Sequence, residues 1–267
     1  QTLYDNNAYK LPLSTSMADR VRAQNLGLDF TLLAQGIPFV HAGEEILRSK
    51  SMDRNSYNSG DWFNRLDWTL QSNNFGVGLP PAGDNQGDWP LIGPRLANPN
   101  LKPGQPDMQA NYTHAQDLLR IRNSSPLFRL QTEEDVMGRL QFLNTGPSQI
   151  PGLIVMRLSD KVDALPDIDP VNEDVVVLFN ATAMTQTFTL VDFTQAGAAA
   201  QTFQLHAVQA NSSDPVVRGS SFNTTTGAFT VPPRTTAVFM QPAAPTAIEE
   251  QPEPATLPSL FLPFVNN

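Results

Sequence analysis

GIPFVHAGEEILRSKSMDRNSYNSGDWFNRLDW, residues 36–68, is the stretch whose reading decides the fold. Residues 37–40 are too few for a helix and, entered from a glycine, suit a short buried strand. Everything after Ala42 is polar loop, crowding Glu44, Glu45, Arg48, Asp53, Arg54, Asn55, Tyr57, Asn58, Asp61 and Trp62 into few positions. Loops at strand ends are where rigid scaffolds carry binding chemistry. Carboxylates, amides and guanidinium groups beside a Tyr or Trp face suit a polyhydroxylated ligand, which offers fixed hydroxyls and weakly apolar ring faces. A solvated loop whose charges pair with one another would have the same composition.

Upstream, Ser14 or Ser16 N-caps a helix through Val21, Leu26, Leu28, Leu32 and Leu33, and Gly36 stands where a C-cap belongs. A helix followed at once by a short buried strand, with a polar loop leaving the strand's C-terminal end, is the repeating text of an α/β barrel. Downstream, residues 68–106 are broken by Pro80, Pro81, Pro90, Pro94, Pro99, Pro103 and Pro106 and are expected to be irregular. Residues 107–123 read as a helix with Met108, Tyr112, Leu118, Leu119 and Ile121 apolar, ended by Pro126. Trp62 suits either ring stacking or the core, whereas Trp68 and Trp89, beside apolar or Pro-rich text, are expected to pack.

Beyond Pro126 the texture changes to short β-rich runs at 140–143, 153–158, 175–179, 187–191, 202–206, 228–231 and 236–240. Gly, Pro, Asn and Asp punctuate them, as in an antiparallel sandwich. From Pro242 alternating Pro, Ala and Glu give an extended linker, and its apolar end, 257–265, is too short to cross a bilayer. That tail reads equally as a solvated end or as a sorting or attachment tag.

A chain of 267 residues with a net charge of −9 is large enough for a real core, and its mean hydropathy of −0.26 fits a folded domain. Phosphate-backbone binding, which needs clustered Lys and Arg, is disfavoured by that charge, so no nucleic acid partner is expected. With no cysteine, disulfides, thiolate chemistry and Cys-held metals are excluded. His41, His114 and His206 lie far apart and read as packed or capping residues, so no metal site is expected from them. Calcium, which needs only oxygens, is possible at the 53–61 loop, although the spacing lacks an EF-hand pattern. No apolar run reaches the length of a membrane span, and no leader-like segment opens at Gln1.

Longer motifs carry a resemblance. GIPFVHAGEE (36–45), LRSKS (47–51), DRNSYNSGDWFN (53–64), FGVGLPPAGDNQGDWP (75–90), LLRIRNSSPLFRL (118–130) and FLNTGPSQIPGLIVM (142–156) resemble the pullulanase-type starch-debranching enzymes of the α-amylase superfamily. VPPRTTAVF, 231–239, resembles the closing strand of the β domain that follows the barrel in that superfamily. The similarity reaches to about Gln241. It implies a fold of α/β plus all-β class: the last βα unit of a (β/α)8 barrel followed by an antiparallel β-sandwich. The implied divisions are 1–125 for the barrel segment, 126–242 for the sandwich and 243–267 for the tail.

The resemblance further implies retaining hydrolysis of α-1,6 branch linkages in pullulan, amylopectin or limit dextrins by the whole enzyme, with an α-glucan as partner and no cofactor required. In relatives the opening text QTLYDNNAYKLP follows the strand ending His-Asp-Asn, so the catalytic carboxylates are expected upstream, in the N-terminal part of the same enzyme. Retention needs two carboxyls facing each other across roughly 5 Å. Glu44 and Glu45 are neighbours whose side chains diverge, with Arg48 placed to pair with one of them, and no catalytic residue is assigned here. Arg48, Asp53, Arg54, Asn55, Tyr57, Asp61 and Trp62 are the expected substrate-cleft residues. The other readings are a non-catalytic α-glucan-binding module, or a structural, surface-attached sandwich protein. An extracellular or cell-surface location is expected.

Overall fold

The computed structural model describes residues 2–190 and 202–243. The chain opens with helices α1 (Leu3–Lys10) and α2 (Met17–Leu33). Ser16 caps α2 as expected, its hydroxyl accepting from Asp19 N at 3.1 Å and donating to the Asp19 carboxylate at 2.9 Å. Inside α2 a Cβ on Gly27 would meet Leu3 Cδ2 at 2.5 Å, so the glycine admits the start of α1. Helix α2 ends at Ala34, two residues before Gly36, which adopts a left-handed φ of 92°.

Residues 37–40 are not a strand, which corrects the expectation from their composition. Ile37 is 97% exposed and Phe39 92%, so the alternate side chains of this run meet water. A strand's hydrogen bonds belong to its neighbours, and among the described residues nothing pairs with it.

Helix α3 (Asp61–Asn64) follows the loop, and the 68–106 region beyond it is more regular than its prolines suggest. That region forms helices α4 (Ala82–Asn85) and α5 (Trp89–Leu96), with a 3₁₀ turn at Pro99–Leu101. Pro90 sits in the first turn of α5, where its missing N–H would be unpaired in any case; Pro94 gives up one bond within the helix. Trp89 packs against this region's core of Tyr4, Ile46, Phe75, Ile92 and Leu101 and donates to Pro80 O at 3.0 Å. Trp68, by contrast, is 56% exposed rather than packed. The Asp67 carboxylate accepts from Thr69 N and Ser72 N at 3.0 Å, tightening a surface turn that leaves Trp68 outside.

The long helix α6 (Gln105–Ser124) lies against α2. Its Arg122 reaches the open end of α2, donating to Leu32 O, Ala34 O and Gly36 O at 2.7–2.9 Å. Those carbonyls have no partner within α2, so Arg122 supplies what the helix end lacks.

A short helix, α7 (Glu133–Arg139), leads into the strands β1 (Leu140–Phe142), β2 (Leu153–Ser159), β3 (Asn172–Asn180), β4 (Gln186–Thr189), β5 (Gln204–Leu205), β6 (Ser221–Asn223), β7 (Ala228–Val231) and β8 (Thr235–Pro242). Helix α8 (Ala207–Ala210) follows β5 and is capped by His206, as expected of a capping histidine. One antiparallel sheet runs β1-β2-β3-β8-β5 and the other β4-β7-β6. Alternation along β3 shows why its run is apolar throughout. Val176 and Leu178 point to the second sheet with Phe229 and Val231, while Val175, Val177 and Phe179 point to a core shared with Leu28, Leu32, Leu118 and Ile121 of α2 and α6. The sandwich thus carries a third, helical layer on its outer face. Position 191 of the expected fourth run and the 244–267 tail lie outside the described residues.

Candidate functional site

The polar loop after Gly43 is built on constrained backbone. Gly43 itself has φ 95°, and a Cβ there would meet Leu66 and Arg48 side-chain atoms at 2.6–2.8 Å. Leu47, Ser51 and Met52 are left-handed without being glycine, with φ of 57°, 52° and 61°. Each such residue costs of order 1 kcal/mol and persists only where its surroundings fix it. Here the fixing groups are Asp5 and Asn73. The fully buried Asp5 carboxylate accepts from Lys50 N at 2.9 Å, Met52 N at 3.3 Å and the Ser49 hydroxyl. Asn73 donates to Leu47 O at 2.8 Å, and its own carbonyl accepts from Ser49 N at 2.7 Å.

The next seven residues hang on Asp53, which is fully buried. Its carboxylate accepts from Asn55 N and Asn85 Nδ2, both at 3.0 Å, and from the Ser59 hydroxyl. Asn85 Oδ1 in turn accepts from Arg54 N at 3.0 Å. Asp53 is therefore the frame of the loop and faces inward, with its oxygens committed to N–H and O–H donors. The side chains it frames face outward. Asn55 Nδ2 donates to Asp84 at 3.1 Å, and Arg54 pairs with Asp88 at 3.7 Å across the rim. Tyr57 is 87% exposed and Trp62 61%, with Asp61 exposed beside it on α3. Trp62 is steadied by its carbonyl, which accepts from Asn74 Nδ2 at 3.0 Å, and by a 3.4 Å bond from its indole N–H to Val77 O.

Arg48 departs from expectation. It is buried and donates to Ala42 O at 3.0 Å and to Asn64 O rather than pairing with Glu44 or Glu45. It pins both ends of the loop together and presents no guanidinium to a cleft. Of the seven expected residues, then, Arg54, Asn55, Tyr57, Asp61 and Trp62 lie at the surface, and Arg48 and Asp53 hold the loop from inside.

Burial is the main electrostatic influence here. It raises the Glu44 pKa, helped by the adjacent Glu45 charge. It lowers that of Lys50, with Arg48 adding to the effect, and that of His41, with Lys50 and Arg48 adding. Lys50 Nζ donates to Ser56 Oγ at 2.8 Å, crossing the loop. Among the described residues no group of three or more His, Cys, Asp or Glu is placed to hold a metal ion. What the loop offers is an amide, a guanidinium and two aromatic faces at the surface, a set suited to hydroxyl groups and ring faces.

Sequence reasoning missed Asp5, Lys50, Asn73 and Asn85. Lys50, Asn85 and Asp5 all fall inside quoted text, but Asp5 meets the loop 44 residues further along the chain, a contact that leaves no local signal.

The family described as alpha-1,6-glucosidases, pullulanase-type, C-terminal, matches residues 70–242. Pullulanase 1, chloroplastic, of Arabidopsis thaliana is 48% identical over 246 residues, covering 90% of this chain and 25% of that protein. Pullulanase of Klebsiella pneumoniae is 37% identical over 242 residues, covering 91% of this chain and 22% of its own. Among solved structures, PulA from Klebsiella oxytoca superposes with a TM-score of 0.82 at 36% identity, over 92% of this chain and 23% of that one. A Klebsiella pneumoniae pullulanase complexed with maltotriose gives 0.81 at 36% identity, over 92% and 23%. The chain spans about a quarter of the length of the relatives it matches. By the extent of these matches, the chain belongs to the family of pullulanase-type alpha-1,6-glucosidases and corresponds to their C-terminal part.

Proposed function

We propose that this chain is the C-terminal part of a hydrolase that cleaves α-1,6-glucosidic branch linkages in pullulan, amylopectin or limit dextrins with retention, and that its share of the work is to line the glucan cleft. The observation that carries this reading is the outward set of Arg54, Asn55, Tyr57 and Trp62 on a loop fixed from within by the buried Asp53. A preformed loop loses little conformational freedom when a sugar binds. The nucleophile and acid/base would come from the larger part of the enzyme, because retention requires two carboxyls about 5 Å apart.

In the same reading 37–40 becomes the last barrel strand when the neighbouring strands are present. The alternate exposure of Ile37 and Phe39 supports this, since it leaves one apolar face to be covered. The β domain, 126–242, then buttresses the barrel segment, 1–125, through the core shared by β3, α2 and α6. An extracellular or cell-surface location belongs to the proposal on the strength of the Pro-rich tail. The chloroplastic label is that of the plant relative.

Arg54→Ala in the whole enzyme tests the reading: KM for a branched dextrin should rise with kcat little changed, the pattern of lost ground-state binding. Unchanged kinetics would remove Arg54 from the cleft. The exposed Tyr57 and Trp62 favour one second reading, an α-glucan-binding module that works without the barrel. It requires retention of this chain alone on insoluble starch.

A further inference from the structure

We propose that Asp5 is a positioning residue for the glucan-facing loop, setting from helix α1 the turn at 49–52 from which Asp53 and the exposed side chains depart. The proposal rests on the reading that this loop lines a glucan cleft. Its geometry stands independently of that reading.

Three features single Asp5 out. Its carboxylate is fully buried, yet its hydrogen bonds go out of its own helix, to Ser49 Oγ, Lys50 N and Met52 N. These donors flank Ser51 and include Met52, whose left-handed backbones need an outside group to hold them. Ser49 relays the constraint further, because the hydroxyl that donates to Asp5 accepts from Ser51 N at 2.9 Å. Ser51 Oγ then donates to Gly78 O at 2.6 Å, which ties the turn to the segment after Phe75.

Asp5 is itself held rigidly. On one side Tyr4 donates to Leu101 O at 2.6 Å and meets the Phe75 ring edge-on. On the other, Asn7 donates to Arg20 O at 2.6 Å, while the fully buried Arg20 donates back to Asn7 O at 3.1 Å and to Pro12 O at 2.6 Å. Thr2 Oγ1 accepts from Asp5 N at 3.1 Å and caps the helix. A carboxylate so anchored can impose a conformation on a loop it contacts through three donors. An amide in its place would turn an NH₂ group toward at least one of those donors and lose that bond.

The test compares Asp5→Asn, Ser49→Ala and Tyr4→Phe in the enzyme that carries this chain, reading hydrogen exchange at residues 49–59, maltotriose affinity and the KM–kcat split. Tyr4→Phe loosens α1 while leaving the carboxylate, so it reports a purely structural effect. Asp5→Asn, and the milder Ser49→Ala should the first fail to fold, are expected to speed exchange at Lys50 and Met52 by about 10-fold. They should also weaken maltotriose binding by about 5-fold, raising KM with kcat nearly constant. Tyr4→Phe is expected to lower the melting temperature without either change. Parent-like exchange and affinity in both Asp5→Asn and Ser49→Ala, or the same changes in Tyr4→Phe, would overturn the proposal. Absence of maltotriose binding in the parent would sink the cleft reading alone, leaving the exchange result to decide on Asp5.

Discussion

His114 Nε2 lies 2.6 Å from the Asp29 carboxylate, joining α6 to α2. Asp29 is buried and the His114 side chain is 23% exposed. Burial pulls the His114 pKa down, but the charge and hydrogen bond of Asp29, with Asp214 and Asp117 behind them, outweigh it and the net shift is upward. The imidazolium is therefore favoured in the folded chain. Since the folded pKa exceeds the unfolded one, the pair contributes fully below the unfolded value of about 6.5 and its contribution fades as pH rises through the folded value.

Melting temperatures taken across that window should fall with rising pH in the parent and lose most of this dependence in Asp29→Asn. At pH 6 the substitution should cost about 2 kcal/mol, the usual worth of a hydrogen bond to a charged group. An identical pH slope in both proteins would show that His114 does not titrate against Asp29.

Arg122 offers a sharper test of how the helices are finished. Its guanidinium serves three carbonyls at the end of α2 from a nearly buried position. Removal leaves those acceptors with no donor, so Arg122→Ala should lower unfolding free energy by about 3 kcal/mol in urea titrations. Arg122→Lys should recover little of it, because one ammonium cannot span three acceptors as the planar fork does.

The sandwich core separates two leucine-like positions by burial alone. Leu178, fully buried on β3, should cost about 2–5 kcal/mol when cut to Ala, whereas Ile154, 42% exposed on β2, should cost less than about 1. Chemical denaturation of the two variants checks the contrast. Equal losses would mean that the exposed side chain of Ile154 is covered by something else.

The elements legible in the sequence are those specified by local chemistry. Ser16 announced α2, and the apolar run 175–179 announced β3, because a cap and a two-faced burial pattern are written in consecutive residues. What stayed hidden depends on distant partners. Residues 37–40 have strand composition and, among the described residues, no strand to pair with, Pro90 proved compatible with a helix start, and Trp68 was turned out by the Asp67 turn. At the site the polar cluster was visible, but its division into holders and presenters was not. Arg48 and Asp53 look like ligand groups on paper and are occupied inside the fold, while the residue that sets the turn, Asp5, lies outside the motif altogether.

That division makes a last prediction separable from stability. Tyr57 is 87% exposed, so Tyr57→Ala should leave the melting temperature within about 1 °C of the parent and weaken maltotriose binding about 10-fold, the loss of one stacking face. Trp68 is an exposed aromatic too, yet it stands on the Asp67 turn and not among the residues that Asp53 holds, and Trp68→Ala should leave maltotriose affinity unchanged. Calorimetric titration of the two variants distinguishes recognition by a placed ring from generic stickiness of exposed aromatics. Equal weakening in both would argue that exposure alone, and not the loop held by Asp53, governs contact with the sugar.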